Sequence, residues 1–518
     1  MADVLHLARI TLEAQSPISS ASGETGLFDM ALARDASGLP QINGASLQGV
    51  LRHLHDEVHG PEATSKLFGF AEGKEGAAGR LFFGFGKVHN SKNGAVTGLM
   101  TDAPDFADKL LRMLAAEAPL ERDHVALGHA HVTLGRGKFE RVAVPRGTRF
   151  SFEIAMWGDA DNQADDKDAL VRVLSLIKHP AFRIGGAALR GYGRVKPICP
   201  GYRVLGLDDP EKIRCERNKP PSDQEGFKPI KLDLSKTTRA VTFHLKLKPV
   251  GLWRMGSTGQ PVRTGQDELH RPDGLIHDKR GGPDKRPKDV DAAPVREPWI
   301  DWTNGAGTWK EADNGAPITV AGAAIKGPLA HRTLYHWNRL NGRMIDADSP
   351  SSEKDLEEWR VRAEELVALF GTPKEKKVEG AKGADERGQA ARLIVDDAVV
   401  EVHDILALDH NSIDRFSGGV RSRILFSEEA AYSGCIETTI TILKPLDGAW
   451  KDKVREAFCC ALRDLLEGRL ALGAKSLGYC TGGEPTFGGD SKELASWKSV
   501  YSKVVNETAR VATEGEQK

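Results

Sequence analysis

Asp35-Ala-Ser-Gly-Leu-Pro-Gln-Ile-Asn-Gly44-Ala-Ser-Leu-Gln-Gly49 and Asp313-Asn-Gly-Ala-Pro-Ile-Thr-Val-Ala-Gly322-Ala-Ala-Ile-Lys-Gly327 share one layout. An aspartate, a short apolar strand, a glycine and a second glycine fall at the same spacing in both. Working outward, each stretch is followed by the same signals in the same order. Leu67-Phe68-Gly69 answers to Leu369-Phe370-Gly371, and Gly79-Arg80-Leu81-Phe82-Phe83 to Ala391-Arg392-Leu393-Ile394-Val395. His124-Val125-Ala126-Leu127 answers to Ile405-Leu406-Ala407-Leu408. A glycine-rich loop closes each series, Gly185 to Arg194 in the first and Gly473-Ala-Lys475-Ser-Leu-Gly478-Tyr479 in the second. A repeat this long means two similar domains and excludes a short-period solenoid.

The chain has 518 residues, too many for one core. Its apolar fraction of 40% and charged fraction of 28% fit a globular protein. No apolar run approaches the roughly 20 residues that a membrane helix needs, and the N-terminus lacks a signal-peptide pattern. The expected location is cytoplasmic, with no membrane partner. The six cysteines form no CxxC pair, so no zinc site is expected. The net charge of −1 is unlike a free-standing nucleic-acid-binding domain and suits one part of a larger particle.

Hydrophobic periodicity divides the chain. His6 to Glu13 alternates like a half-buried strand, Ser46 to Val58 has helical spacing, Phe150 to Met156 alternates again, and Asp168 to Ile177 reads as an amphipathic helix. That order predicts an α+β domain of ferredoxin-like (RRM-like) type over residues 1–205. Residues 206–237, rich in Pro, Lys and Asp, read as a linker. A second such domain is expected over 238–490, starting at the alternating Val241 to Lys248 and holding a helix at Asp452 to Leu470. It carries insertions at about 256–312 and 340–388, and 491–518 reads as a polar tail.

Two features point to anion chemistry. At Gly44-Ala-Ser46-Leu-Gln48-Gly49 a strand turns into a helix with Ser46 near its cap, and a helix N-terminus offers free N–H groups to a phosphate. Arg52 and His53 follow one turn later. The second copy adds Lys326, with His331 and Arg332 beyond it. In the glycine-rich loop, Arg190, Arg194 and Lys196 supply charge and Tyr192 an aromatic face on which a base could stack. Lys475 is the cation of the second loop. Both features, taken alone, also occur as ordinary strand-to-helix corners and turns. The loop closes a domain instead of opening one, which argues against a dinucleotide fold. His129 and His131 alternate in a strand-like run, and Asp35 and Asp313 suit turn capping.

Together these motifs resemble the RAMP superfamily, the ferredoxin-like RNA-binding proteins of CRISPR systems. The closest resemblance is to backbone subunits of type III effector complexes, with two units fused in one chain. The resemblance implies a guide-RNA partner, a complementary target RNA and neighbouring effector subunits. It implies hairpin thumbs near His124 to Phe139 and His403 to Phe426. It also implies an endoribonuclease whose working acid is Asp29, in Gly26-Leu27-Phe28-Asp29-Met30, with Mg²⁺ as cofactor held by Asp29. Asp301, in Trp299-Ile-Asp301-Trp302, is the candidate acid of the second domain. A non-catalytic guide-RNA scaffold and a guide-processing endoribonuclease using His53 or His55 are the alternatives.

Overall fold

The computed structural model describes residues 3–21, 31–72, 75–100, 107–127, 133–234, 238–255, 292–312, 316–342, 364–371, 389–402, 404–473, 478–489 and 491–515. No helix among them is long and apolar enough to cross a membrane. They form two compact units, each a mixture of helices and antiparallel sheet, an α+β architecture. The first unit holds the described residues up to Thr238 together with Pro298–Glu311; the second holds Arg239–Glu297 and Ala312–Lys518.

In the first unit Val4–Ala14 is the central strand, between Val195–Gly206 and Arg149–Gly158, with Leu81–Phe83 and Gly86–Val88 on the far side of the latter. Every pairing is antiparallel. Helices Gly44–His59 and Gln163–Ser175 link these strands. Ala8, Ile10, Leu12 and Ala14 face Leu47, Leu51, Leu170 and Val173 in one core. The helix Gly44–His59 starts where it does because Gly44 lies against the strand that follows. A Cβ at Gly44 would collide with the carbonyl oxygen of Phe83.

The central strand departs from the half-buried expectation, since its other face is covered too. Leu5, Leu7, Ala155 and Leu205 pack with Leu207, Ile213 and Phe227. Residues 206–237 are therefore not a simple linker. They contain the helix Pro210–Arg217, and they satisfy a charge that the strand buries. The Arg9 guanidinium, fully buried, bonds Glu216 Oε1 at 2.9 Å, Glu153 Oε2 at 2.9 Å and the Asp223 carbonyl at 2.9 Å. Its carbon lies 4.6 Å from the centroid of Phe227. A buried guanidinium needs such partners, and a polar composition conceals that role.

The second unit repeats the pattern. Val241–Pro249 is central, between Ile436–Ile442 and the pair Tyr479–Gly482 and Thr486–Gly489, and Leu393–Val395 extends the sheet beyond Ile436–Ile442. Helices Gly322–Leu340 and Lys451–Leu466 pack on it. Gly322 meets the Val395 carbonyl as Gly44 meets that of Phe83. The Leu-Phe-Gly landmarks also coincide. Gly69 and Gly371 both have positive φ and end a helix, their N–H groups donating to the Ser65 and Val367 carbonyls. Residues 491 onward are no polar tail. The helix Ser491–Gly515 buries Trp497, Tyr501 and Val504 in the core of this unit.

Candidate nucleic-acid interface

The glycine-rich loop of the first unit is shaped by backbone contacts. Gly185 and Gly193 have positive φ, and at each a Cβ would press into backbone, that of Ser19 and of Ile184 respectively. The Gly186 N–H donates to the Ser19 carbonyl at 2.8 Å, and the Gly193 N–H to that of Pro17 at 2.9 Å. Beside the loop stands a long hairpin, Leu120–Leu127 paired with Thr133–Ala143. A second hairpin, Asp404–Ile413 with Val420–Tyr432, occupies the corresponding place in the second unit. Both thumb positions are thus hairpins.

Charge converges at the base of the first hairpin. Arg122 and Arg141 are direct cross-strand partners, as are His124 and Phe139. Like charges placed opposite each other in a sheet are unfavourable unless something compensates. Arg190, from the glycine loop, lies over the Phe139 ring with its carbon 4.5 Å from the centroid. Arg141 reaches Ser19 Oγ at 3.3 Å, while its buried Nε has no hydrogen-bond partner. Burial, then the Arg190, Arg122 and Arg141 charges, lower the His124 pKa to about 4. Burial and the neighbouring Arg141 also lower that of Arg190. Guanidiniums crowded together at a half-buried surface form a receptor for an anion such as a phosphate.

Tyr192 has no exposed face on which a base could stack. It is fully buried, its hydroxyl 2.9 Å from His124 Nε2 and its ring 5.0 Å from the Arg122 carbon. Arg194 is exposed at the end of the loop, and its N–H donates to Ser16 Oγ at 3.0 Å. At the other motif, Ser46, Gly49, Arg52 and His53 are exposed and Gln48 is half-buried. The N-cap is Asn43, not Ser46, which is the third residue of the helix, and no side chain caps the helix. Gly49 and its counterpart Gly327 sit inside helices where a Cβ would meet nothing within 4 Å. Packing does not explain glycine at either position, since alanine would favour the helix.

The remaining sequence candidates fare differently. The Lys326 ammonium donates to the Leu393 carbonyl at 2.9 Å. Arg332 bonds Asp464 Oδ2 at 2.5 Å, which also takes His336 Nε2 at 2.7 Å, so Arg332 is part of a largely buried ion network. His55 is buried against Thr64 Oγ1 at 2.7 Å, an internal bond and not a catalytic posture. Asp35 caps its turn, accepting from Ser37 N and Leu39 N. Asp29, Lys475, His129, His131 and Asp313 lie outside the described residues.

Asp301 is not the acid of a second-unit site. The hairpin Trp299–Asp301 with Thr308–Lys310 belongs to the first unit, where Ile300 and Trp309 join the core and Trp302 Nε1 donates to the Gly147 carbonyl at 2.7 Å. The Asp301 carboxylate accepts from Thr303 N at 3.0 Å and Thr303 Oγ1 at 2.5 Å, and the hydroxyl bond foremost lowers its pKa. Such a bonding pattern is that of a turn-forming acid.

Sequence reasoning missed Arg122, Phe139 and Arg141. The only available signal was the matched spacing of cations on two strands not yet known to pair. The arginine-lined loop, the hairpin beside it and the antiparallel sheet all lie within one stretch of sequence. Residues 11–196 match the sequence model of the RAMP superfamily. The first unit is a RAMP superfamily domain. The match ends before the second unit, and no curated protein matches the chain. RAMP membership supports a CRISPR-associated, RNA-binding role, and the RAMP domain's guanidinium cluster is chemically suited to RNA phosphates.

Proposed function

We propose that the chain is a backbone subunit of a type III CRISPR effector complex, built from two tandem ferredoxin-like RAMP domains. It would hold guide RNA and cut the complementary target RNA. The observation that carries the RNA-binding half is the cluster of Arg122, Arg141 and Arg190 beside His124 at the base of the hairpin. The recurrence in the second unit of the strand order, of the Gly44 and Gly69 contacts and of the hairpin supports two tandem domains.

The cleavage half rests on Asp29 and the family resemblance. The residues flanking its loop, Ala21 and Leu32, pair with each other, and Ser19 nearby contacts Gly186 and Arg141. Ser19 thus links the described residues that precede Asp29 to the arginine cluster. There a carboxylate would orient the target's 2′-hydroxyl toward its phosphate. Mg²⁺, if held by Asp29, would add charge stabilisation at that phosphate. Among the described residues, the acids grouped closely enough to hold a metal are Glu121, Asp123 and Glu140. They alternate with Arg122, His124 and Arg141 on the hairpin, which turns them to the face away from the arginine cluster.

The test is cleavage of a complementary RNA by the assembled complex, with Mg²⁺ and with EDTA. Wild type is compared with Asp29→Ala, Asp301→Ala and the double variant. The reading expects Asp29→Ala to remove cutting while guide binding persists, and Asp301→Ala to cut as wild type. Cutting by every variant would leave a scaffold that holds guide RNA while a neighbour cuts.

A further inference from the structure

A cleft of about 530 Å³ opens beside the RAMP domain's glycine loop, lined by Lys196, Arg146, Arg149, Trp299, Trp302 and Asp301 among others. Its aromatic wall comes from the Trp299–Lys310 hairpin, a segment that follows the first strand of the second unit in sequence and is built into the first unit. Gly147, at positive φ, lets the two backbones touch, because a Cβ there would strike the Ile300 carbonyl. The Ile300 N–H donates to the Arg146 carbonyl at 2.9 Å. The hairpin is therefore fixed in place, and its half-exposed Trp299 and Trp302 are held at the rim.

The cations of this cleft differ in their commitments. Arg149 bonds Glu13 Oε2 at 2.7 Å and lies over Trp302, its carbon 4.0 Å from the centroid. Arg146 lies over Trp299 at 6.0 Å. The Lys196 ammonium has no hydrogen-bond or ion-pair partner among the described residues, and the residue is exposed. It stands opposite Glu13 in the sheet and two residues beyond Arg194, about 7 Å along an extended strand. Exposed Arg194 and Lys196 thus follow the glycine loop in sequence, and Lys196 lines the cleft together with Trp299. A phosphate-binding line ending on an aromatic face is how single-stranded nucleic acid is bound without sequence readout.

We infer that this cleft is a nucleotide subsite for single-stranded RNA leaving the glycine loop, with a base against Trp299 and a phosphate on Lys196. The inference rests on the RNA-binding reading above and adds to it a subsite made by the hairpin. The test is binding of a fluorescein-labelled single-stranded RNA of mixed sequence to the full chain, read by anisotropy. Wild type, Trp299→Leu, Trp299→Phe, Lys196→Gln and Arg190→Gln are compared. Trp299→Leu and Lys196→Gln should each weaken binding about tenfold, and Trp299→Phe should restore most of the loss, since it keeps a ring. Photocrosslinking of a 5-iodouridine RNA to wild type should label the peptide containing Trp299, which keeps the inference testable if Trp299→Leu misfolds. If Arg190→Gln weakens binding while Trp299→Leu and Lys196→Gln do not, and no crosslink reaches that peptide, the subsite is overturned and RNA binding at the loop stands. If Arg190→Gln also binds as wild type, the RNA-binding reading itself has failed.

Discussion

The Tyr192 hydroxyl meets His124 Nε2 at 2.9 Å, and this one bond ties the glycine-rich loop to the base of the hairpin. Both groups are withdrawn from solvent, and His124 is held neutral by its burial and by three arginines. The loop and hairpin form a preset frame, and the arginines around it are what a ligand would meet.

Tyr192→Phe should therefore act on stability before it acts on RNA. The loss of one buried hydrogen bond predicts about 1 kcal/mol of destabilisation. RNA affinity should change less than twofold, because the ring does not face the ligand. Thermal melts paired with RNA titrations check both. A tenfold loss of affinity with an unchanged melting temperature would mean that the ring contacts RNA after all.

The paired glycines should separate packing from binding. Gly44→Ala and Gly322→Ala drive a methyl into a strand carbonyl and should cost about 3 kcal/mol or prevent folding. Gly49→Ala and Gly327→Ala meet open space and should stabilise their helices by up to about 1 kcal/mol. If backbone at Gly49 approaches RNA, Gly49→Ala should melt higher and bind more weakly, an opposition that denaturation and binding assays detect directly.

Stability should fall in mildly acidic solution. His124, His89 and His179 all have pKa values lowered to about 4, chiefly by burial, against an ordinary 6.5. The unfolded chain binds these protons more readily. Stability is therefore full above about pH 7, declines as pH falls from 6.5 toward 4, and loses nothing more from these groups below that. Chemical denaturation at pH 7.5 and pH 5 should show a lower midpoint at pH 5, and His89→Asn should reduce the difference. Asp464, lowered to about 2 by its bonds to His336 and Arg332 despite burial, adds a loss only at lower pH.

Arg332→Ala should damage the second unit's fold and not only its affinity for RNA. It removes a partner of Asp464, a carboxylate that is 1% exposed. Asp464 keeps His336 and Arg463, so the loss should stay below about 3–5 kcal/mol, the cost of a buried charge left wholly unpaired. A double variant with Asp464→Asn should recover part of that loss, which an urea titration of the single and double variants would reveal.

Much of the architecture was legible in the sequence. Alternation located the strands at Val4–Ala14, Arg149–Gly158 and Val241–Pro249, and the repeated glycines located the helices that follow. These signals are local, because strand alternation and the sterics of a turn depend on neighbouring residues. The pairing of Arg122 with Arg141 at the hairpin base was not legible. Arg122 and Arg141 become a pair only through hairpin register, and Tyr192 is buried by a strand sixty-odd residues before it in the chain.

The amino-acid sequence by itself determined the α+β character of this protein and where its turns fall. Tertiary structure alone decided which charges are buried in ion pairs and which stay at the surface. Arg9 and Arg332 are consumed by Glu216 and Asp464, whereas Arg190 and Lys196 reach the surface. It also decided that Trp299 and Asp301 serve the first unit. Long-range packing makes these assignments, since burying a charge or an indole depends on what arrives from elsewhere in the chain, and no local pattern encodes that arrival.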